Sequence, residues 1–155
     1  MNPALFEISD FHARYARVID SDKLEEWPAF FTEQCHYRVT TIDNETEGLP
    51  AGLIYATSRA MLSDRVMALR SANIYERQRY RHIIGQPLID CESAQELQVE
   101  TPFMVARIMA IGQTELFVSG VYRDTFVRAD TGLCLSQRVV VCDSAVIDTL
   151  LAIPL

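Results

Sequence analysis

Apolar residues recur at spacings of three and four positions through the first twenty residues of the chain. Polar residues fall mainly between them, which is the pattern of an amphipathic helix with one face against a core. The apolar positions are Leu5, Ile8, Phe11, Tyr15, Val18 and Ile19. The pattern therefore predicts one long N-terminal helix.

Two more helices are predicted before the strands dominate. Asp22 stands as an N-cap with Glu25 at the capping-box position, and Pro28 should disturb the short helix that they open near Trp27. The aromatic residues at its end, Phe30 and Phe31, are interpreted as core, as is Trp27. A third helix is predicted from about Ser58 to Arg70, and its apolar side comprises Met61, Leu62, Val66 and Leu69.

The period changes to two from Cys35 onward. The segment "CHYRVTTI" alternates Cys35, Tyr37 and Val39 against polar residues and is predicted to be a strand. The acidic segment "DNETEGLPAG" that follows, with Asp43, Glu45 and Glu47, lacks the glycine and terminal glutamate of a calcium loop and is predicted to be an exposed loop.

Four further strands are predicted after residue 74, at residues 80–84, 103–111, 116–128 and 133–143. A hairpin turn at Asp130 to Gly132 joins the last two. Pro102 is expected at a strand start or edge, and Gly120 at a bulge or bend. Helices followed by a long antiparallel sheet predict an α+β fold.

The segment "FMVARIMAI" is apolar on both faces of its predicted strand. Phe103, Val105, Met109 and Ile111 share one face, and the other face carries Met104, Ala106, Ile108 and Ala110. Helices can cover only one face of the sheet. The other face therefore requires either the curl of the sheet itself or another subunit.

Composition places the chain among ordinary globular proteins. Its 155 residues, 49% hydrophobic and 23% charged, predict a single domain spanning residues 1–155. A net charge of −7 argues against a nucleic-acid surface. No leader sequence and no apolar run of about 18 residues is visible, so a cytoplasmic protein is predicted.

The chemistry-bearing residues form no recognised catalytic or metal motif. The histidines His12, His36 and His82 show no metal-ligand spacing, and the chain lacks the HExxH, Walker, GxGxxG and GxSxG patterns. The four cysteines, which lack zinc or redox spacing, are interpreted as free thiols: Cys35, Cys91, Cys134 and Cys142. We therefore predict that this chain carries no catalytic residue, metal or cofactor.

Arginine dominates the basic residues, with thirteen arginines and one lysine, Lys23. In "YERQRYRH" the residues Arg77, Arg79 and Arg81 share one strand face, while Gln78, Tyr80 and His82 share the other. Three like charges about 6.6 Å apart repel one another unless carboxylates neutralise them. We expect this arginine ladder and His82 to contribute to a subunit interface. Carboxylates within the chain are the alternative partners, namely Glu76, Glu100, Asp124 and Asp143.

Four blocks in order resemble the small, or beta, subunits of aromatic-ring-hydroxylating dioxygenases. They are "FHARYARVIDSDKLEEWPAFFTEQCHYRV", "MLSDRVMALR", "RQRYRHIIG" and "CDSAVIDTLLAIPL". The resemblance implies a cone-shaped, curved antiparallel sheet packed on N-terminal helices, the fold of nuclear transport factor 2. It also implies a complex of three large (alpha) and three small subunits that oxidises an aromatic acid. A Rieske iron–sulfur cluster and a mononuclear iron are expected on the large subunit, and the small subunits are expected to form a trimer.

A stand-alone enzyme of the same cone fold, an isomerase or dehydratase, is the competing interpretation. Its cavity groups would include Tyr37, His82 and Asp143, which would need to converge in a pocket with a tuned pKa. An open apolar cavity with His82 facing a carboxylate would favour the enzyme. A filled interior with apolar outer strands would favour the subunit.

Overall fold

The computed structural model describes residues 2–48, 54–72, 77–144 and 153–155. The helices are α1 (Pro3–Asp20), a 3₁₀ helix (Leu24–Phe30), α2 (Ile42–Thr46) and α3 (Arg59–Ser71). The strands are β1 (Phe31–Thr41), β2 (Ile54–Ser58), β3 (Gln78–Ile84), β4 (Leu88–Glu92), β5 (Glu96–Met109), β6 (Thr114–Ala129) and β7 (Gly132–Cys142). The predicted α+β class is confirmed.

Helix α1 forms where the apolar spacing predicts it. The side chain of Asn2 caps its first turn by accepting a hydrogen bond from the Ala4 nitrogen, and Pro3 occupies the first helical position. One face of α1 is buried, comprising Ala4, Ile8, Phe11, His12, Tyr15, Ala16 and Ile19. This face packs against the sheet and supplies Phe11 and Tyr15 to the aromatic core.

The short second helix begins at Leu24, two residues after Asp22, which was predicted to be its N-cap. Lys23 precedes its first residue and makes no side-chain cap, so the prediction of Asp22 as N-cap is wrong. Asp22 has a positive φ of 60° and its carboxylate accepts a hydrogen bond from Arg70 of α3. The helix adopts the tighter 3₁₀ form around Pro28, and Trp27 is fully buried, as core residues are expected to be.

The sheet has seven strands in the order β2-β1-β7-β6-β5-β3, with β4 also paired to β5. Most pairs are antiparallel, but β1 and β7 run parallel, which the predicted antiparallel sheet did not include. A parallel pair requires a long crossover between its strands, and here nearly the whole sheet and α3 separate β1 from β7 in the chain. In this strand order, β3 lies at one edge of the sheet and β2 lies at the other edge.

Two strands, β2 and β4, were not predicted, and β5 begins seven residues before its predicted start at Phe103. Pro102 lies inside β5 and not at a strand start or edge strand. The neighbour of β5 changes there from β4 to β3, and Gly85 donates its N–H to the Pro102 carbonyl oxygen at 2.8 Å. At this break no neighbouring strand has to accept a hydrogen bond from position 102, so a proline, which has no backbone N–H, is allowed there.

Gly120 marks a close approach of two strands and not the bulge that was expected. A Cβ at this position would lie 2.1 Å from the carbonyl oxygen of Val141 in β7. The irregular pairings of β6 lie elsewhere, opposite Val105 and at Thr125. The hairpin turn between β6 and β7, by contrast, forms at Asp130 and Thr131 as predicted.

The acidic segment after β1 is partly helical, so the prediction of a loop is wrong for residues 43–46, and the predicted strand ends at Thr41, one residue before Ile42. The Thr41 hydroxyl caps α2 by accepting from the Asn44 nitrogen. Glu45 accepts a hydrogen bond from Arg38 of β1, which holds α2 against the outer face of the sheet. Asp43 and Glu47 are exposed, as expected. The remainder of the predicted loop, from residue 49, lies outside the described residues.

Candidate functional site

The arginine ladder lies on the outer face of the edge strand. Arg79 and Arg81 are exposed within β3, and Arg77, just before the strand, is also exposed. The alternate residues Tyr80 and His82 are buried. The predicted division into a basic outer face and a packed inner face is therefore correct for this strand.

The charges of the ladder are only weakly neutralised by the part of the chain that the structure describes. The Arg81 guanidinium lies 3.9 Å from Oδ2 of Asp20, a long ion pair. Within residues 2–48, 54–72, 77–144 and 153–155, no carboxylate lies within ion-pair distance of Arg77 or Arg79. Two guanidinium groups therefore remain available on the surface.

The carboxylates considered as internal partners for the ladder bind other groups. Those pairs are Glu100 with Arg123, Asp124 with Arg138, and Asp143 with the Ser119 hydroxyl. The fourth candidate, Glu76, lies outside the described residues. The alternative that Glu100, Asp124 or Asp143 neutralises the ladder is therefore wrong, because each of these carboxylates is bound by a residue on a neighbouring strand.

An apolar strip adjoins the ladder on the same outer face, and we call it the outer apolar strip. It comprises Ile83, Met104, Ala106, Ile108 and Leu116. Strand register places Ile83 opposite Met104, and Ala106 lies between Arg81 on one side and Leu116 on the other. Ile83, Met104 and Leu116 are 57%, 45% and 64% exposed. Such a patch on a sheet face is typical of an interaction surface.

The doubly apolar strand is accordingly covered on one face only. Phe103 and Val105 are buried against the core, whereas Met104 faces outward. Ile111 was predicted to share a face with Phe103 and Val105, but β5 ends at Met109 and Ile111 is exposed in the following turn. The outer face of "FMVARIMAI" is left uncovered by the described part of this chain.

The inner face of the edge strand is anchored by Asp20, the last residue of α1. Asp20 accepts hydrogen bonds from the His82 backbone nitrogen at 2.8 Å and from His82 Nδ1 at 2.7 Å. The two side chains are almost completely buried. His82 thus points inward, and any effect of His82 on an interface passes through Asp20, which also faces Arg81.

A buried arginine fills the centre of the cone. Arg138 is fully buried, and its Nε and Nη2 donate to the two oxygens of Asp124, both at 2.8 Å. The guanidinium lies between two aromatic rings, 4.3 Å from the centre of Tyr15 and 3.8 Å from that of Tyr122. Nη2 also contacts Nδ1 of His12 at 3.1 Å.

His12 is part of this network and not a free base. Its Nε2 lies 3.1 Å from the Thr101 hydroxyl. Burial and the nearby Arg138 cation both lower the pKa of His12 well below its usual value. The imidazole is therefore neutral, accepts from the guanidinium at Nδ1 and donates from Nε2 to Thr101.

The three residues considered for a cone-fold enzyme have separate partners. The Tyr37 hydroxyl donates to the Leu155 backbone oxygen at 3.1 Å, and burial raises its pKa well above the usual value. His82 is held by Asp20, and Asp143 is exposed beside Ser119. His82 does face a carboxylate, but the two groups are buried and bonded directly to each other. A cavity of about 510 Å³ lies beside Asp20 and Tyr80, and its lining is mainly polar and does not include His82. The open apolar cavity expected of the enzyme is therefore not found at His82, and the outer apolar strip favours the subunit interpretation.

The remaining candidate chemistry is consistent with packing. All four cysteines are free thiols, as predicted, and burial raises the pKa of Cys142 to about 12. In the part of the chain that the structure describes, no group of three histidine, cysteine or acidic residues is arranged to hold a metal ion. None of the described helices has both the length and the apolar character needed to cross a membrane.

Sequence reasoning missed three features of this surface and interior. The Asp20 anchor joins residues 62 positions apart, and no local pattern signals it. The Arg138–Asp124 pair lies across the predicted β6–β7 hairpin, but a register shift at Thr125 determines which residues face each other, and the sequence does not show that shift. The exposed helix α2 was hidden in a segment rich in turn formers. The sequence feature that could have indicated α2 is Thr41, which lies three residues before Asn44 and caps the helix.

The known proteins that this chain resembles in sequence are beta, or small, subunits of ring-hydroxylating dioxygenases. A family model described as "Ring hydroxylating beta subunit" matches residues 14–149. Terephthalate 1,2-dioxygenase terminal oxygenase component subunit beta 1 from Comamonas sp is 56% identical over 149 residues, covering 96% of this chain and 97% of the relative. The anthranilate 1,2-dioxygenase small subunit of Burkholderia cepacia is 38% identical, covering 97% of this chain and 93% of its own length.

One solved structure extends the similarity to the fold. A Novosphingobium aromaticivorans protein assigned as the beta subunit of an aromatic-ring-hydroxylating dioxygenase superposes with a TM-score of 0.91 at 36% identity. The superposition covers 98% of this chain and 97% of that chain. The similarity therefore includes the helices, the curved sheet and the edge strand that carries the ladder.

Proposed function

This chain belongs to the ring-hydroxylating beta subunit family, and from that premise we propose that it is the non-catalytic small subunit of a Rieske non-haem iron dioxygenase. The complex would dihydroxylate an aromatic acid during aromatic compound catabolism. Terephthalate is the proposed substrate because two relatives that are 56% identical bear that name. The identity spread over 96% of the chain is the observation that carries the proposal.

The proposed partners are a large (alpha) oxygenase subunit and two further copies of this chain. We expect three large and three small subunits in the cytoplasm, with residues 1–155 forming one domain of each small subunit. The Rieske cluster and the mononuclear iron belong to the large subunit in this proposal. Rieske centres use two cysteines and two histidines, and the mononuclear iron uses two histidines and a carboxylate.

The interior of the fold supports a structural role. A catalytic pocket needs a concave cavity with convergent polar groups. Here the Arg138 guanidinium, stacked between Tyr15 and Tyr122 and paired with Asp124, occupies the centre of the cone. A cation that is already bound on both faces and by a bidentate carboxylate is poorly placed to react with a substrate.

We propose in addition that the arginine ladder is a subunit contact. Arg77, Arg79 and Arg81 would meet carboxylates of a neighbouring subunit, and His82 would contribute by holding Asp20 beside Arg81. The exposed guanidinium groups and the adjoining outer apolar strip support this assignment. Arginine suits such contacts because its planar group binds carboxylates through two hydrogen bonds.

Co-purification from the source organism tests the proposed function. An affinity tag on this chain should bring down a larger chain that contains iron, measured by elemental analysis of the complex and of the isolated small chain. Oxygen consumption by the complex should be greater with terephthalate than with anthranilate. Recovery of the tagged chain alone, with no larger iron-containing protein, would contradict the proposal.

Single alanine substitutions test the ladder. Arg79→Ala and Arg81→Ala should weaken assembly, measured by analytical ultracentrifugation, while changing the melting temperature little. Arg14→Ala is a matched control, because Arg14 is exposed on α1 and its contacts in the described structure are with Asp10 and the Phe11 ring of the same helix. If both ladder variants melt early and assemble with unchanged affinity, the ladder is an internal network and the proposal is wrong.

A further inference from the structure

The outer side of the sheet carries two exposed patches of opposite charge. The basic patch lies on β3, β5 and β6 and comprises Arg79, Arg81, Ile83, Met104 and Leu116. The acidic patch lies on α2 and β2 and comprises Ile42, Asp43, Glu47 and Tyr55. Each patch combines exposed apolar side chains with exposed charges of one sign, and the cations beside the acidic patch, Arg38 and Arg123, are paired with Glu45.

The acidic patch is assembled around Arg38 of β1. Strand register places Tyr55 of β2 opposite Arg38, and Arg38 donates to Glu45 of α2, so α2 and Tyr55 lie beside the same residue. Glu45 is occupied by that contact, whereas Asp43 and Glu47 have no ion pair with any residue that the structure describes. Ile42 and Tyr55 are both about half exposed. The patch therefore offers two free carboxylates beside two apolar side chains.

The basic patch has the complementary composition. Arg79 has no ion pair within the described ranges and Arg81 has only the 3.9 Å contact with Asp20. Strand register sets Arg81 in line with Ala106 and Leu116, and the next outward position, Ile83, faces Met104. Apolar surface and cation thus lie side by side, which is the composition of a protein–protein contact with a charged rim.

The two patches do not neutralise each other in the part of the chain that the structure describes. Asp43, Glu47 and Arg79 have no ion pair among the described residues, and Arg81 has only the 3.9 Å contact with Asp20. The carboxylate of α2 that does reach a neighbouring strand, Glu45, faces Arg123 of β6 and not the ladder. The exposed charges of both patches are therefore available for contacts outside the chain.

We propose that the basic patch of one copy binds the acidic patch of the next copy. This inference rests on the proposed function, since it specifies the contact between small subunits within the complex. The two surfaces are different, so the contact is head-to-tail and builds a ring when its rotation closes. A ring of three is the state that the proposed complex requires.

A second copy is the occupant that the charges on this chain favour. The chain has a net charge of −7, so two copies repel on average and associate only where a local basic surface meets an acidic one. The basic patch is such a surface, and the acidic patch offers carboxylates together with apolar side chains. Arg79 and Arg81 would pair with Asp43 and Glu47, while Ile83 and Leu116 would cover Ile42 and Tyr55.

Charge reversal tests the contact directly. Three variants are compared. The first reverses the basic patch (Arg79→Glu with Arg81→Glu) and the second reverses the acidic patch (Asp43→Arg with Glu47→Arg). The third, the fourfold variant, combines all four substitutions. Sedimentation equilibrium of the small chain, alone and in the complex, should show at least a roughly tenfold weaker self-association for each pair of reversals. The fourfold variant should recover most of that loss, because the opposite charges then face each other again. Arg14→Glu and Asp130→Arg are exposed controls outside both patches and should leave self-association unchanged.

Each other outcome counts against the inference. If the basic reversal leaves self-association intact but releases the large subunit, the basic patch binds the large subunit instead. If the fourfold variant fails to recover while far-ultraviolet circular dichroism shows all variants folded, the two patches do not contact each other. Failure of the wild-type chain to bring down any iron-containing partner would refute the proposed function separately, because the sedimentation measurement on the small chain alone does not involve the large subunit.

Discussion

Asp20 at the end of α1 binds His82 of β3 twice, at 2.8 Å from the backbone nitrogen and 2.7 Å from Nδ1. The Asp20 carboxylate therefore accepts a hydrogen bond from a backbone N–H at the free edge of β3, and it fixes the orientation of the His82 imidazole. An exposed strand edge is a template for unwanted pairing. The anchor ties the N-terminal helix to the strand that carries the arginine ladder.

Replacing Asp20 should destabilise the protein measurably. Asp20→Ala leaves the buried His82 N–H and Nδ1 without their acceptor, so the free energy of unfolding should fall by about 1–3 kcal/mol in denaturant titrations. Asp10→Ala is the control, since its pair with Arg14 is exposed and should contribute less than about 1 kcal/mol. If Asp20→Ala costs no more than Asp10→Ala, and both cost less than about 1 kcal/mol, the buried anchor contributes no more than a surface pair and this prediction is wrong.

The buried pair of Arg138 and Asp124 should behave differently from a surface pair. Arg138→Met strands a buried carboxylate and should cost about 3–5 kcal/mol of unfolding free energy. Adding Asp124→Leu should recover part of that loss, because no uncompensated charge then remains. Arg128→Ala breaks an exposed pair with Glu7 and should cost no more than about 1 kcal/mol. A double variant less stable than Arg138→Met alone would contradict this account.

Stability should fall at mildly acid pH because of His12. Its pKa is lowered in the folded protein by burial and by Arg138, so the unfolded chain binds a proton that the folded chain does not. Stability contributed by the neutral imidazole is therefore complete above the unfolded pKa of about 6.5 and is lost as pH falls below it. The groups facing His12 are Arg138, Thr101 and Tyr122.

Comparison with His12→Gln isolates this effect. The difference in unfolding free energy between wild type and variant should shrink as pH falls from about 7 to 5, with a slope of up to about 1.4 kcal/mol per pH unit. Denaturant titrations at several pH values measure it. A difference that stays constant with pH would mean that His12 does not titrate on unfolding in this range.

Gly120 should tolerate no side chain. A Cβ at this position would lie 2.1 Å from the Val141 carbonyl oxygen, so Gly120→Ala must push β6 and β7 apart in the middle of the sheet. Overpacking of this kind costs about 1–3 kcal/mol or more. Ser119→Ala, at the neighbouring outward position, should cost less. Thermal melting of both variants checks the order, and a Gly120→Ala variant as stable as wild type would refute it.

Local pattern was sufficient for the elements with clear periodicity. The spacing of Ile8, Phe11, Tyr15 and Ile19 correctly placed α1, and alternation correctly placed the buried face of β1 and β3. The weaker cases were β2 and β4, because each has only five residues and lacks a long alternating run. Pro102 was misplaced for a related reason. A proline is expected at an edge, yet here the neighbouring strand is interrupted and an interior position is allowed.

The sequence by itself determined the fold class, the division of β3 into a basic and a packed face, and the membership of a subunit family. Those properties follow from period and from the order of motifs, which are local along the chain. Only the tertiary structure decided that His82 meets Asp20, 62 residues away, and that Arg138 lies between Tyr15 and Tyr122. It also left Arg79 without an ion pair among the described residues and placed α2 beside Arg38 and Arg123. Such contacts depend on how strands and helices pack, because the energy of a buried charge or an exposed patch is set by neighbours that are distant in sequence.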